Sequence, residues 1–443
     1  MSKKLLMIAN DFPPVGGAGI QRAFYFAKYL GERGWHPIVL TVKDVLFSAK
    51  DYTLLEQLPP TTRVVRTGSL ELRRVAWLLG RLAGKSRRPA SDPRAAPGAP
   101  AMGRRWRAIG RSLRKWLFVP DDRMLWVPFV LFAARRLIRR EKISSLFATA
   151  PPYSSAVAGW LLHELTGLPL VVDLRDPWTQ DPYLRSPTVV HRRLNEWLER
   201  ATFAAASRLI VISPRMRSNV LQRHPELPPE KVTVILNGFD AEELARIRPR
   251  PRDPGFTVVY VGSLYAHHRR PMRAFCRAWD ELAGESPAFG HASRLWLIGR
   301  CDPEIEEELA GWVAVNARVF GYQPHADAVC YLKTASALLL LIRKLDPETD
   351  VITIPGKTFE YLGAGAPILM IGPQGDAADI VSSHGGIVHD EDDLGGIRAS
   401  LRGMYEASSG GRGPIPSTAA AACYDRRALT ARLAVELDAV VSD

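Results

Sequence analysis

Cysteine is scarce in this chain. Its four cysteines, Cys276, Cys301, Cys330 and Cys423, are scattered through 443 residues with no pair at metal-ligand spacing. Neither a disulfide nor a structural zinc is expected, and the thiols read as reduced. Long apolar runs are also lacking: the longest candidates, Trp126 to Ala134 and Ala335 to Ile342, fall short of the roughly 18 residues that span a bilayer. No signal peptide is expected, because Met1-Ser2-Lys3-Lys4 leads straight into a strand. These absences point to a cytoplasmic protein. Recognised nucleic-acid motifs are missing too, so nucleic acid is not an expected partner despite a net charge of +13.

What is present fits a soluble enzyme of two or three domains, each able to bury its own core. Apolar residues make up 47% and charged residues 24%, the balance of a globular protein. The positive charge is concentrated: between Arg63 and Lys142 stand 21 Lys/Arg against 5 Asp/Glu, which leaves the remainder slightly acidic. Within that block the Pro/Ala/Arg-rich residues 85–102 read as a mobile loop. Residues 104–118 follow, with Trp106, Ile109, Leu113, Trp116 and Leu117 at helical spacing between arginines. Such a helix either lies on an anionic membrane with its tryptophans at headgroup level or packs on its own domain with a solvated basic face.

Lys4 to Ala9 is an apolar run of buried-strand type, followed by Asn10-Asp11-Phe12-Pro13-Pro14 and the loop Gly16-Gly17-Ala18-Gly19. Ile20 to Leu30 carries a helical pattern and Pro37 to Val42 is the next strand, which is the order of a βαβ unit. Glycine allows close backbone approach to a phosphate or sugar, which Gly16 and Gly17 would permit here. The spacing lacks the third glycine of the dinucleotide fingerprint, and a plain tight turn is the alternative. A second alternation begins with the strand Phe256 to Val261 and its Gly262-Ser263 terminus, and continues through strands at Arg294 to Gly299, Ala317 to Gly321, Ala335 to Ile342 and Pro367 to Ile371. Two Rossmann-like, doubly wound α/β domains with parallel sheets are expected. Their bounds read as 1–242 and 255–420, joined by a linker at 243–254 and followed by a C-terminal helix within 421–443.

Pro355 to Pro367 is the most informative stretch. Pro355 and Gly356 turn into a helix, Lys357 sits in its first turn, and Gly363, Gly365 and Pro367 stop it. Free N–H groups and the helix dipole favour an anion at such a tip, and Lys357 adds a full charge. Glu360, a turn further in on the same face, can accept hydrogen bonds from ribose hydroxyls. The alternative is a surface Lys-Glu pair.

This stretch resembles the Lys-x-x-Glu-Tyr-Leu-x-x-Gly-x-Pro signature of family 4 glycosyltransferases, which have the GT-B fold and generally retain anomeric configuration. Asp173-Leu174-Arg175-Asp176-Pro177-Trp178 looks like the string of a subgroup acting in polysaccharide and glycoconjugate assembly, which also shares the Pro-x-Lys-x-Phe-Glu-Tyr-Leu form. The likeness runs the length of the chain: Asn237-Gly238-Phe239-Asp240 resembles the family hinge, Gly321-Tyr322 is family-like, and a helix such as Arg426 to Val440 crosses back onto the first domain in relatives.

The resemblance implies two domains facing a cleft, an N-terminal acceptor side and a C-terminal nucleotide-sugar side. It implies hexosyl transfer from a nucleotide diphosphate sugar to a glycan or lipid-linked acceptor, with no cofactor. No metal is needed if Lys357 and the Arg269/Arg270 pair neutralise the leaving diphosphate. Asp176, Lys357 and Glu360 are then the catalytic candidates, although Asp176 can equally be a helix cap before Pro177. Gly16, Gly17, Gly262, Ser263, Arg269 and Arg270 join Lys357 and Glu360 on the donor, and Asp173, Arg175 and Tyr153 lie on the acceptor side. The adjacent arginines can also be a solvated surface pair, and Arg300 falls near the place where relatives hold the base.

Three departures stand out. Many relatives carry a histidine in or near the loop that reads Pro151-Pro152-Tyr153-Ser154-Ser155 here, and the nearest one downstream, His163, falls inside a helix. Ser263 stands where an arginine is usual. The first of two glutamates eight positions apart falls at Ile352, with Asp350 as a nearby substitute. Two rival readings follow: a catalytically silent GT-B protein that binds a nucleotide sugar or a partner, and a non-hydrolysing nucleotide-sugar epimerase, whose motif set is absent.

Overall fold

The computed structural model describes residues 3–15, 18–43, 52–70, 116–180, 186–249, 254–312, 315–344, 352–410 and 420–442. The expected loop at 85–102, most of the basic segment 104–118, Gly16, Gly17 and Asp350 lie outside the described residues. The chain divides into two compact units, Met1–Leu236 with Leu429–Asp443, and Asn237–Ala428.

The first unit is built on seven strands: β1 (Lys3–Ile8), β2 (Trp35–Val42), β3 (Arg63–Thr67), β4 (Ser145–Ala150), β5 (Leu170–Leu174), β6 (Arg208–Val211) and β7 (Val232–Val234). All pair in parallel, in the order β3-β2-β1-β4-β5-β6-β7. β4 and β5 are buried along their whole length, because helices cover both faces of a parallel sheet, and this is why they read as unbroken apolar runs. Leu5, Met7, Phe24, Phe147, Val171 and Ile210 form its core together with Leu429, Leu433 and Leu437 of the C-terminal helix Arg426–Ser442. Val435, also apolar on that helix, points outward instead and is exposed.

The second unit carries β8 (Phe256–Val261), β9 (Ser293–Ile298), β10 (Ala317–Gly321), β11 (Ala337–Leu341), β12 (Ile368–Ile371) and β13 (Ile387–His389). These strands are also parallel, in the order β10-β9-β8-β11-β12-β13. Each sheet reverses its strand order once, between β1 and β4 in the first unit and between β8 and β11 in the second. Ligands of open α/β sheets bind beyond the strand ends at such a reversal.

The unit boundary falls earlier than the sequence indicates. Residues 237–249, read as the end of the first domain and the start of a linker, fold with the second unit. Asp240 caps the short helix Ala241–Arg246 by accepting from the N–H groups of Glu242 and Glu243. Phe239 and Leu244 press onto Gly363, where a Cβ would stand 2.5 Å from Leu244 and 2.7 Å from Phe239. Lys333 Nζ then donates to the carbonyls of Leu244 and Ile247 at 2.9 and 2.6 Å. Side-chain packing, invisible to composition, joins this segment to its unit.

Candidate functional site

In the second unit the strand ends at the reversal are shaped by glycine. β8, β9 and β10 run into Gly262, Gly299 and Gly321, all at positive φ (133°, 136° and 69°), where an L side chain is strained. A Cβ on Gly299 would stand 2.2 Å from the Gly262 carbonyl, so the two backbones pack directly. The helix Lys357–Ala364 follows β11 and stops at Gly365, at φ 78°. Tyr361 fixes this helix against β8: its buried hydroxyl accepts from Val261 N at 2.7 Å and donates to Val261 O at 3.2 Å.

That anchor brings Lys357 to the end of β8. Its Nζ donates to Tyr260 Oη at 2.5 Å and lies 4.0 Å from the Tyr260 ring centroid, and a Cβ on Gly262 would be 3.4 Å from it. Lys357 is half-buried. Crowding by surrounding protein lowers its pKa to about 7, against an upward pull from Glu360. Among the described residues no carboxylate pairs with Lys357 within ion-pair distance. Glu360 is half-buried one turn along the same helix.

His268 also belongs to this corner and was not singled out by motif. Its Nδ1 accepts from Tyr265 N at 3.2 Å, which leaves the proton of the neutral ring on Nε2. Its ring centroid is 6.5 Å from that of Tyr260. Burial, then Lys357, then His267 push its pKa down to about 3, so it is a neutral donor near neutral pH. The arginines expected to carry the charge are engaged elsewhere. Arg269 and Arg273 both bond Glu308 at 2.5 Å, and Arg270 pairs with Glu391 at 3.4 Å. Arg269 and Arg270 therefore stand as partners of protein carboxylates. Ser263 is half-buried, its carbonyl accepting from Tyr260 Oη at 3.2 Å. Arg300 stacks over the largely exposed ring of Tyr322 at 5.8 Å.

The first unit treats its sequence candidates differently. Asp173, at the end of β5, is fully buried. It accepts from Arg22 Nε and Nη2 at 2.8 to 3.1 Å and from Thr149 Oγ1 at 2.8 Å. Arg22 is itself buried and also donates to the carbonyls of Ile235 and Leu236. Asp173 is thus an internal counter-charge and presents no oxygen to an acceptor. Tyr153 is likewise interior: its ring stacks on Trp178 at 5.0 Å and its hydroxyl donates to Pro177 O at 3.0 Å. Arg175 laces the loops together through the carbonyls of Gly19, Ala150 and Pro151. No helix starts at Pro177, and the next one among the described residues begins at Val189 behind the cap residue Thr188, so Asp176 is not a helix cap. It is exposed to solvent, although crowding raises its pKa and Arg175 pulls it down; solvent access leaves the carboxylate form available.

Motif reading passed over the carboxylate that does cap a helix there. Asp121 accepts from Ser154 N and Arg123 N, both at 2.9 Å. Burial raises its pKa, and these two backbone bonds oppose the rise. It covers the start of the helix Ser154–Thr166 from 33 residues away in sequence, so no local capping signature announces it. Beside β1 the amide of Asn10 is buried with neither its nitrogen nor its oxygen bonded among the described residues, and the buried hydroxyls of Ser154 and Ser155 are in the same state. His163 bonds the Leu168 carbonyl at 2.8 Å inside its own unit.

With this geometry in place, comparison with known proteins is decisive for the fold. Residues 88–243 match the model of Glycosyltransferase Family 4. Alpha-maltose-1-phosphate synthase of Mycobacterium tuberculosis (strain ATCC 25618 / H37Rv) is 29% identical over 265 residues, covering 56% of this chain and 65% of the relative. The enzyme of the same description from Mycolicibacterium smegmatis is 29% identical over 167 residues, 36% of this chain and 42% of the relative. The chain therefore spans 42% to 65% of the length of these curated relatives. Among solved structures, sucrose-phosphate synthase from Thermosynechococcus elongatus superposes with a TM-score of 0.63 at 13% identity, over 99% of both chains. Anabaena HepE in complex with UDP and glucose gives 0.62 at 16% identity, over 99% of this chain and 100% of that one. The fold is GT-B, two Rossmann-like parallel-sheet domains. No helix among the described residues is long and apolar enough to cross a membrane.

Proposed function

We propose that this protein is a family 4 glycosyltransferase that moves a hexosyl group, with retention, from a nucleotide diphosphate sugar to a glycan or lipid-linked acceptor in polysaccharide or glycoconjugate assembly. The observation that carries the reading is Lys357: an ammonium at a helix tip, set on a neutral phenol beside the glycine-ended β8, at the strand-order reversal where α/β sheets bind ligands. One protein of the same fold, Anabaena HepE, has been solved with UDP and with UDP-glucose, which supports a donor of that class.

In this mechanism the bond between the sugar anomeric carbon and the distal phosphate oxygen breaks, and the acceptor hydroxyl oxygen bonds the same carbon from the face the diphosphate leaves. The hydroxyl proton passes to the departing phosphate oxygen, and charge builds on the diphosphate. Lys357 and the amides of its helix tip receive that charge, His268 Nε2–H donates to it, and no divalent ion is needed. Glu360 holds the ribose hydroxyls. Gly262 leaves room for the ammonium. Asp176 faces the acceptor. With a lipid-linked acceptor, transfer takes place at the cytoplasmic face of a membrane.

A second reading, a silent GT-B protein, has one specific support: Ile352, where classical family members carry the first glutamate, is a buried apolar residue. A thermal-shift and hydrolysis screen against UDP-, GDP-, dTDP- and ADP-sugars with excess chelator separates the two. Selective stabilisation with slow release of the matching diphosphate is the expected outcome. Stabilisation without turnover, even with acceptor extracts added, would favour the silent protein, and no stabilisation by any donor would overturn the reading.

A further inference from the structure

The helix Val189–Ala205 buries one side and leaves an apolar stripe on the other. Asn195, Leu198, Glu199, Thr202 and Phe203 face the interior, and Thr188 caps the first turn by accepting from His191 N. On the outer side Val190, Leu194 and Trp197 are 73%, 44% and 54% exposed, at the i, i+4, i+7 spacing that aligns them along one face. Trp116 and Leu117, more than half exposed, extend the stripe. The Trp116 ring meets His191 edge-on at 5.6 Å, and its carbonyl accepts from His191 Nε2 at 3.0 Å. Trp160 meets Trp197 edge-on at 5.6 Å from the neighbouring helix.

Soluble proteins seldom leave such a patch uncovered, and its chemistry identifies the cover. Arg193 and Arg200 are exposed within a turn of Trp197 on the same helix, Arg200 in a solvent-exposed pair with Glu226 at 3.6 Å. The acidic residues nearby are engaged, Glu164 by Trp160 Nε1 at 3.1 Å and Glu196 by Arg192 at 3.7 Å. The 12 residues that precede Trp116 in sequence, 104–115, hold six Lys/Arg and no Asp/Glu. A second copy of this face would set arginine against arginine. A bilayer with anionic lipid meets all of these features: its interface takes tryptophan rings, its acyl boundary takes the aliphatic stripe, and its phosphates take the guanidinium groups.

We propose that the outer face of the helix Val189–Ala205, with Trp116 and Leu117, is a docking surface for an anionic lipid bilayer. It deepens the lipid-linked acceptor reading by naming the face that meets the membrane. Donor hydrolysis without lipid tests the transferase reading separately.

The experiment is sedimentation of the full chain with vesicles of phosphatidylcholine, with and without phosphatidylglycerol, at low and high salt. Variants Leu194→Asp and Trp197→Asp, and the pair Arg193→Glu with Arg200→Glu, are compared with wild type after circular dichroism confirms folding. Wild type should bind only the anionic vesicles and release as salt rises, and each variant should lose about tenfold in partition while its donor-induced thermal shift stays unchanged. Full binding by Leu194→Asp and Trp197→Asp would overturn the proposal. So would a wild-type dimer in sedimentation velocity that Leu194→Asp dissociates with no vesicle binding, because the occupant would then be a second copy.

Discussion

The two strand-order reversals of this protein handle charge in opposite ways. In the first unit Arg22 and Asp173 meet in the interior at 2.8 Å and Thr149 completes the carboxylate, so both charges are matched within the fold. In the second unit Lys357 rests on the neutral phenol of Tyr260, and crowding lowers its pKa to about 7. A buried cation with its own carboxylate is structure. One held against a phenol at a strand end, with no carboxylate of the described residues within ion-pair distance, gains most when an anion arrives.

The largest effect should come from breaking the matched pair. Asp173→Ala leaves Arg22 buried without its carboxylate and should lower the unfolding free energy by about 3–5 kcal/mol, read from denaturant midpoints. A loss under about 1 kcal/mol, the range of an exposed pair, would erase the contrast between the two sites. Next comes Lys357→Ala, which should cut turnover by roughly 10²–10³-fold with an unchanged circular dichroism spectrum. It should weaken nucleoside diphosphate binding far more than nucleoside binding; equal losses would remove the phosphate role.

A smaller change sharpens the account of the first unit. Asp121→Ala deprives the helix Ser154–Thr166 of its cap and should cost about 0.5–2 kcal/mol, measured by thermal unfolding, without moving the donor-induced shift. If Asp121→Ala abolished transfer while leaving stability intact, Asp121 would be a substrate contact.

The last test is a pH slope of at most about 1.4 kcal/mol per pH unit. Lys357 has a folded pKa of about 7 against 10.5 for the free side chain, so between those values the unfolded chain binds more protons and this lysine makes stability rise with pH. Below pH 7 both states are protonated and its cost is fully present. Diphosphate binding takes up a proton above pH 7, so affinity should fall as pH climbs. Titration of both quantities in wild type and Lys357→Met checks this, and identical slopes in the two proteins would remove Lys357 from the linkage.

The alternation of strands and helices was legible because a parallel sheet covered on both faces demands short unbroken apolar runs. The strands starting at Phe256 and Ala317 keep their sequence-read ends, while the one read as Ala335 to Ile342 shortens to Ala337–Leu341. The helix that carries Lys357 and Glu360 was legible for a similar reason: its start and stop are local features, set by Pro355, Gly356 and the glycines that end it. Asp173 and Tyr153 misled because a polar residue after a strand looks the same whether it faces a ligand or an internal partner, and those partners are up to 151 residues away.

By itself, then, the sequence determined the α/β class, the two-sheet organisation, the short helix that begins at Lys357 and the basic block, all of which rest on periodicity, turn chemistry and composition within a short window. Tertiary structure alone decided which charges are matched. It bound Arg22 to Asp173, drew Arg269 and Arg270 to Glu308 and Glu391, set Lys357 on Tyr260, and joined Phe239 and Leu244 to Gly363. The physical reason is range: backbone propensity acts over a few residues, whereas desolvation and pairing depend on whatever the fold brings within a few ångströms.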